Sequence, residues 1–172
     1  MTKHLKPLLD LHTHTVASGH AYSSLQEMVS AAAAKDLQIL GITEHAPSIP
    51  GTCPLLYFKN MGVIPRTING IKLMMGCEIN ILNTHGDIDM EKEMMEYLDI
   101  RIAGIHAICW KGGSKTANTE GVIAAMHNPF IQIICHPGDG TAEMHFEPLV
   151  IASKETHTLI EINNHSIAAF RK

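Results

Sequence analysis

No stretch of the 172-residue chain approaches the roughly 18 consecutive apolar residues that a membrane-spanning helix needs. The start, "MTKHLKPLLDL", has neither a long apolar segment nor the small-residue cleavage site of a secretory leader. There is no basic run either. The 13 Lys and Arg against 17 Asp and Glu give a formal charge of −4, so neither a nucleic-acid nor a membrane partner is expected. Cysteine is scarce and scattered. Cys53, Cys77, Cys109 and Cys135 form no Cys-x-x-Cys, which argues against a zinc ribbon or a small disulfide scaffold and predicts a reducing, cytoplasmic setting. Charged residues make up only 17% of the chain and apolar ones 45%, the balance of a globular domain with a core of its own.

What is abundant is histidine, 12 in all. Three fall in "LLDLHTHTVASGH", at His12, His14 and His20. At this frequency about one His-x-His pair arises by chance, so the pair carries no weight until its position is known.

Position follows from the hydrophobic pattern. Apolar runs at 8–12, 38–45, 71–82, 100–108, 131–136 and 157–164 read as strands. Helical patterns lie between them at 24–37, 89–99, 118–127 and 146–155, the first opened by the Ser24/Glu27 capping-box pair. The Pro- and Gly-containing stretch 46–70 reads as a long loop with a short helix, of the kind that carries function. Alternation of strand and helix predicts an α/β fold with a mainly parallel sheet, in one domain spanning 1–172.

Each predicted strand ends in a metal-capable residue: His12 and His14, then Glu44 and His45, Glu78, His106, His136, and Glu161. The C-terminal ends of parallel strands gather at one mouth, where active sites sit. Such regular placement points to a multinuclear metal site. Imidazole with carboxylate suits zinc, manganese or iron, and a carboxylate can bridge two ions. Strand alternation puts Asp10 on the face of His12 and His14, where it is expected to hold an imidazole in one tautomer. The same alternation turns Cys77 and Cys135 away from the mouth, into the core.

The stretches "DLHTHTVASGHAYSSL", "ITEHAP", "NMGVIPR", "GCEINI", "GDID", "IAGIH", "TANT", "IICHPG" and "LIEINN" resemble the polymerase and histidinol phosphatase (PHP) superfamily, above all its YcdX-like phosphatase branch. The resemblance runs from residue 10 to residue 164. It implies a distorted (β/α)7 barrel with three metal ions, usually zinc, at the C-terminal mouth. His12 and His14 match ligands of the first ion, Glu78 the bridge between the first and second, His106 and His136 the second, and His20 and His45 the third. A further Asp-x-His motif of the family has no counterpart before "IAAFRK". The expectation is therefore a barrel cut after about six strands, part of a chain roughly 240 residues long. A chain ending there is expected to oligomerise or to be marginally stable, because an open edge and an apolar face are left uncovered.

The reaction implied is metal-dependent hydrolysis of a small phosphate monoester, with Glu78 and His136 as the catalytic core. Arg66 is the candidate clamp for a phosphate oxygen, with Lys111 and Arg171 weaker ones. His4, His85, His127, His145, His157 and His165 have no strand-end placement and are read as non-ligands. Two alternatives stay open: an amidohydrolase-like hydrolase of C–N bonds, and a metal-binding module without turnover. Against the first, no lysine lies within 100–108 to bridge two ions.

Overall fold

The computed structural model describes residues 7–164 and 166. Seven strands form one sheet: β1 (Leu9–Asp10), β2 (Ile39–His45), β3 (Thr67–Ile68), β4 (Ile71–Asn80), β5 (Ile100–Gly104), β6 (Ile133–Ile134) and β7 (Leu159–Ile160). The order is β1-β2-β4-β5-β6-β7, every pairing parallel, with β3 turning back antiparallel on β4. Sequential parallel neighbours need a crossover each, supplied here by helices. The expected α/β architecture is present as a curled half-barrel of six parallel strands. The curl brings the two ends of the sheet toward each other. Leu9–His12 and Leu159–Ile162 line one cleft of about 280 Å³, together with Ile102 and Ile133.

The helices are α1 (Leu25–Ala34), α2 (Leu55–Asn60), α3 (Lys92–Met95), α4 (Lys115–Met126) and α5 (Phe146–Thr156). The Ser24/Glu27 capping box that opens α1 is complete: the Ser24 side chain accepts from the Glu27 backbone, and the Glu27 carboxylate accepts from the Ser24 backbone. α4 begins at Lys115, three residues before the pattern suggests, because the Ser114 hydroxyl accepts the Ala117 N–H and caps it there. The 46–66 stretch holds α2 and a 3-10 turn at Met61–Val63.

The main core lies between sheet and helices. Leu40, Ile42, Leu73, Met75 and Ile79 pack with Val29 and Ala32 of α1, Val122 and Met126 of α4, and Leu149 of α5. A smaller cluster, Ile100, Ile102, Ile133 and Cys135 with Leu11 and Met74, is separate from it; Leu11, Ile102 and Ile133 among these also line the cleft. Among the described residues no helix is long and apolar enough to cross a membrane, and all four cysteines are free.

Candidate metal centre

Glu78 sits near the end of β4, in register with His45 on β2 and Ile102 on β5. It is 1% exposed. Its two oxygens divide five histidines between them. Oε1 lies 2.7 Å from His136 Nε2, 3.0 Å from His106 Nε2 and 3.2 Å from His12 Nε2. Oε2 lies 2.9 Å from His45 Nδ1 and 3.1 Å from His14 Nε2. His20, exposed at the rim, completes the group with its ring centroid 4.9 Å from that of His14 and 4.8 Å from that of His45. All six histidines and the glutamate singled out from the sequence thus come together at one mouth.

Donor atoms of His14, His20 and His45 lie within 4.8 Å of one another, as do those of His45, Glu78 and His106, and those of His12, Glu78 and Cys135. His14 therefore stands as close to the His20/His45 pair as to His12.

Three of the imidazoles are held through Nδ1, leaving Nε2 turned to Glu78. His12 Nδ1 is 3.0 Å from Glu161 Oε1, His14 Nδ1 is 2.9 Å from Ser18 Oγ, and His136 Nδ1 is 3.1 Å from Asp139 Oδ2. Ser18 Oγ donates to the fully buried Glu44 and accepts the His45 N–H at 3.1 Å. Glu44 also accepts from the Thr15 backbone and hydroxyl. A strand-end carboxylate thus serves as the anchor of the His14 support.

The cluster has the marks of a cation site. His45 Nδ1, Glu78 Oε2 and His106 Nδ1 are buried without a hydrogen-bond partner among the described residues. His45 Nδ1 and Glu78 Oε2 are close, yet not placed to share a proton with hydrogen-bond geometry. His12 Nε2 and His14 Nε2 face each other at 3.3 Å. With a proton on each Nδ1, two bare lone pairs meet there, an arrangement that a cation relieves. In the metal-free chain the charges compensate in protons instead. Burial raises the Glu78 carboxyl, but its histidine partners outweigh this and hold it well below the usual range. Burial lowers the His12 imidazolium, yet Glu161 and Glu78 pull it up to about 9. His136 is raised against burial by the neighbouring Cys135, Asp139 and Glu78, whereas burial wins at His45 and lowers it. A set of imidazoles around a carboxylate suits zinc, manganese or iron, so the residues present fit such ions.

Several expectations need correction. Asp10 is exposed, and its carboxylate accepts the His12 backbone N–H at 3.3 Å rather than an imidazole; Glu161 holds the ring. Cys135 does not face away from the centre. Its thiol is buried 3.4 Å from Glu78 Oε1. Strand alternation fails there because β6 ends at Ile134 and His136 turns left-handed, φ 33°. Cys77, by contrast, is buried in the main core, as expected. Arg66, the expected phosphate clamp, has protein partners. Its Nε pairs with Asp99 at 2.6 Å and its guanidinium donates to the Met61 and Ile64 carbonyls, pinning the loop to the sheet. His85, His127, His145 and His157 lie outside the cluster. His4, His165 and Arg171 fall outside the described residues.

The sequence did not disclose Ser18, Asp139 or Gly104. Gly104 ends β5 where a Cβ would stand 2.5 Å from the Cys135 sulfur and 3.1 Å from His136 Cε1. The only available signal was local: Ser18 lies between His14 and His20, and Asp139 three residues beyond His136.

A sequence profile described as the PHP domain matches residues 10–166. A protein named probable phosphatase from Caldicellulosiruptor bescii is 45% identical over 158 residues, covering 92% of this chain and 66% of the relative. Proteins of the same designation from Clostridium acetobutylicum and Thermoanaerobacter sp. (strain X514) are 40% identical, each covering 98% of this chain and 69% of the relative. The chain thus spans about two thirds of the length of these relatives. A profile match over nearly the whole chain and relatives at this identity carry one conclusion: the chain belongs to the PHP domain family.

Proposed function

We propose that this domain binds divalent metal through the Glu78 cluster and hydrolyses phosphate monoesters there. The observation that carries the reading is the division of the two Glu78 oxygens among five imidazoles, with buried donor atoms left without partners. His12, Glu78, His106 and His136 would hold ions on the Oε1 side, and His14, His20 and His45 one on the Oε2 side. Zinc is the ion proposed, up to three per domain; manganese and iron suit the same donors. When bound, such ions neutralise phosphoryl oxygens and lower the pKa of water, which is how multinuclear centres supply a nucleophile at neutral pH.

The chain's own residues prepare that chemistry. Glu78 supplies the negative charge that draws cations to the mouth. Glu161, Ser18 and Asp139 accept from Nδ1 of His12, His14 and His136, so that each Nε2 is presented as a lone pair. The relatives named probable phosphatases support a phosphate ester as the substrate. So does β5: no lysine stands on it, and its one cation, Arg101, donates to the Met95, Leu98 and Phe130 carbonyls. A C–N hydrolase with a lysine bridge finds no support there.

The test compares p-nitrophenyl phosphate with a cyclic amide, dihydrouracil, using protein loaded with zinc or manganese. Hydrolysis of the phosphate ester alone, lost in Glu78→Gln and in His136→Ala, is the expected result. Hydrolysis of the amide, or metal binding with neither substrate consumed, overturns the proposal.

A further inference from the structure

We propose that Glu161 is the positioning residue of this centre: one carboxylate sets the ring of His12 and the backbone of His136, and so clasps β1 to the opposite end of the sheet. The inference rests on the metal-site reading above, but its structural half stands on geometry alone.

β1 and β7 lie at opposite ends of the strand order, and no ladder joins them. Below the mouth they are separated by the apolar cleft. Glu161 follows β7 directly, and its own N–H, bonded to the Ile134 carbonyl at 2.9 Å, fixes its backbone to β6. From there the side chain reaches across. Oε1 is 3.0 Å from His12 Nδ1, just past the end of β1. Oε2 accepts the His136 N–H at 2.7 Å. The His12 and His136 rings are 5.6 Å apart, so a single carboxylate spans both residues.

Each bond does something that the other residues do not. An imidazole that donates from Nδ1 has its lone pair on Nε2, and His12 Nε2 is the atom facing Glu78. Without Glu161 the ring is free to take the other tautomer, which places a proton at Nε2 and blocks a cation. The bond to His136 acts on the backbone. His136 holds a left-handed φ of 33°, unfavourable for a residue with a Cβ, and needs fixing by its surroundings. The Glu161 oxygen anchors that turn, and the turn places His136 Nε2 2.7 Å from Glu78 Oε1. Only a carboxylate accepts at both ends; an amide offers one oxygen and one NH₂ group. With both oxygens committed, Glu161 acts through His12 and His136 rather than as a ligand.

The experiment uses the 172-residue chain labelled with ¹⁵N-histidine, as wild type, Glu161→Gln and Glu161→Ala, with Glu147→Gln in α5 as a control carboxylate. Long-range ¹H–¹⁵N spectra read the His12 tautomer with zinc, and without zinc at a pH above 9, where the ring carries a single proton, and chelator competition reads zinc affinity. The expected result is His12 protonated at Nδ1 in wild type and control, a shift toward Nε2 protonation in both Glu161 variants, and zinc affinity weakened by about 10–100-fold. If Glu161→Ala does not fold, Glu161→Gln carries the test. Unchanged His12 signals together with unchanged affinity overturn the proposal. If the wild type binds no zinc, the metal reading fails, and the metal-free tautomer still decides the role of Glu161: shifted in the variants upholds it, unshifted overturns it.

Discussion

At the scale of single residues, a carboxylate buried to 1% exposure among five imidazoles must share its site with protons or with metal, because an isolated buried charge costs far too much. Glu78→Gln keeps the volume and removes the charge. It is expected to lower zinc affinity by more than about 100-fold, beyond the range seen for residues that merely support ligands, as read by chelator competition. The proton alternative gives a pH signature in metal-free protein. His12 is raised from 6.5 to about 9, so its contribution to stability is complete below pH 6.5 and is lost as pH rises through 9; His136 is raised in the same sense. His45 is lowered, so its contribution is present above pH 6.5 and is lost as pH falls through its folded value. Asp139, lowered from 3.8 to about 2, contributes fully above pH 3.8 and loses that contribution as pH falls from there through 2. The melting temperature of chelator-treated protein should therefore peak near pH 6.5 and fall toward pH 9. With zinc the slope between pH 6 and 8 should reverse, because the metal needs neutral imidazoles. A metal-free melting temperature that climbs from pH 6.5 to 9 contradicts this.

At the scale of elements, the ends of β2, β4 and β5 were legible because long parallel strands buried on both faces read as continuous apolar runs. The short ladders of β1, β6 and β7 were placed as strands too, but some side-chain directions at their ends were not, and the misread Asp10 and Cys135 lie there. Alternation fails after Ile134, so Cys135, buried in the smaller core cluster, also turns its thiol to Glu78. β1 ends at Asp10, and the ring of His12 finds its acceptor at Glu161 just past β7, 149 residues away, where no local pattern points. Arg66 misled for a different reason: a planar guanidinium suits backbone carbonyls and Asp99 as well as it suits phosphate. Two substitutions separate site from scaffold. Gly104→Ala pushes a methyl against the Cys135 sulfur and the His136 ring; it should cost about 1–3 kcal/mol in denaturant unfolding and also weaken zinc binding. Ser114→Ala removes the α4 cap and should cost about 1 kcal/mol with zinc affinity unchanged.

At the scale of the whole molecule, the proposed centre would draw its ligands from the ends of five strands or the turns that follow them, so occupancy should stabilise the fold as a unit. Zinc at about 100 times its dissociation constant should add roughly 2.7 kcal/mol, reversed by chelator. The histidine-rich opening stretch shows how much of this was written in the sequence. The His-x-His pair meant nothing by frequency, and everything once each later strand was seen to end in a partner. Glu161 was legible as a strand-end carboxylate; its role as a support, like Ser18 and Asp139 themselves, stayed hidden, because these contacts exist only after the chain has curled. The most direct test of the account is the metal content of purified wild type and Glu78→Gln by mass spectrometry after zinc loading and desalting. The account predicts more than one ion per chain in the wild type and one or fewer in the variant. A wild type at one or below, or a variant with undiminished content, contradicts it.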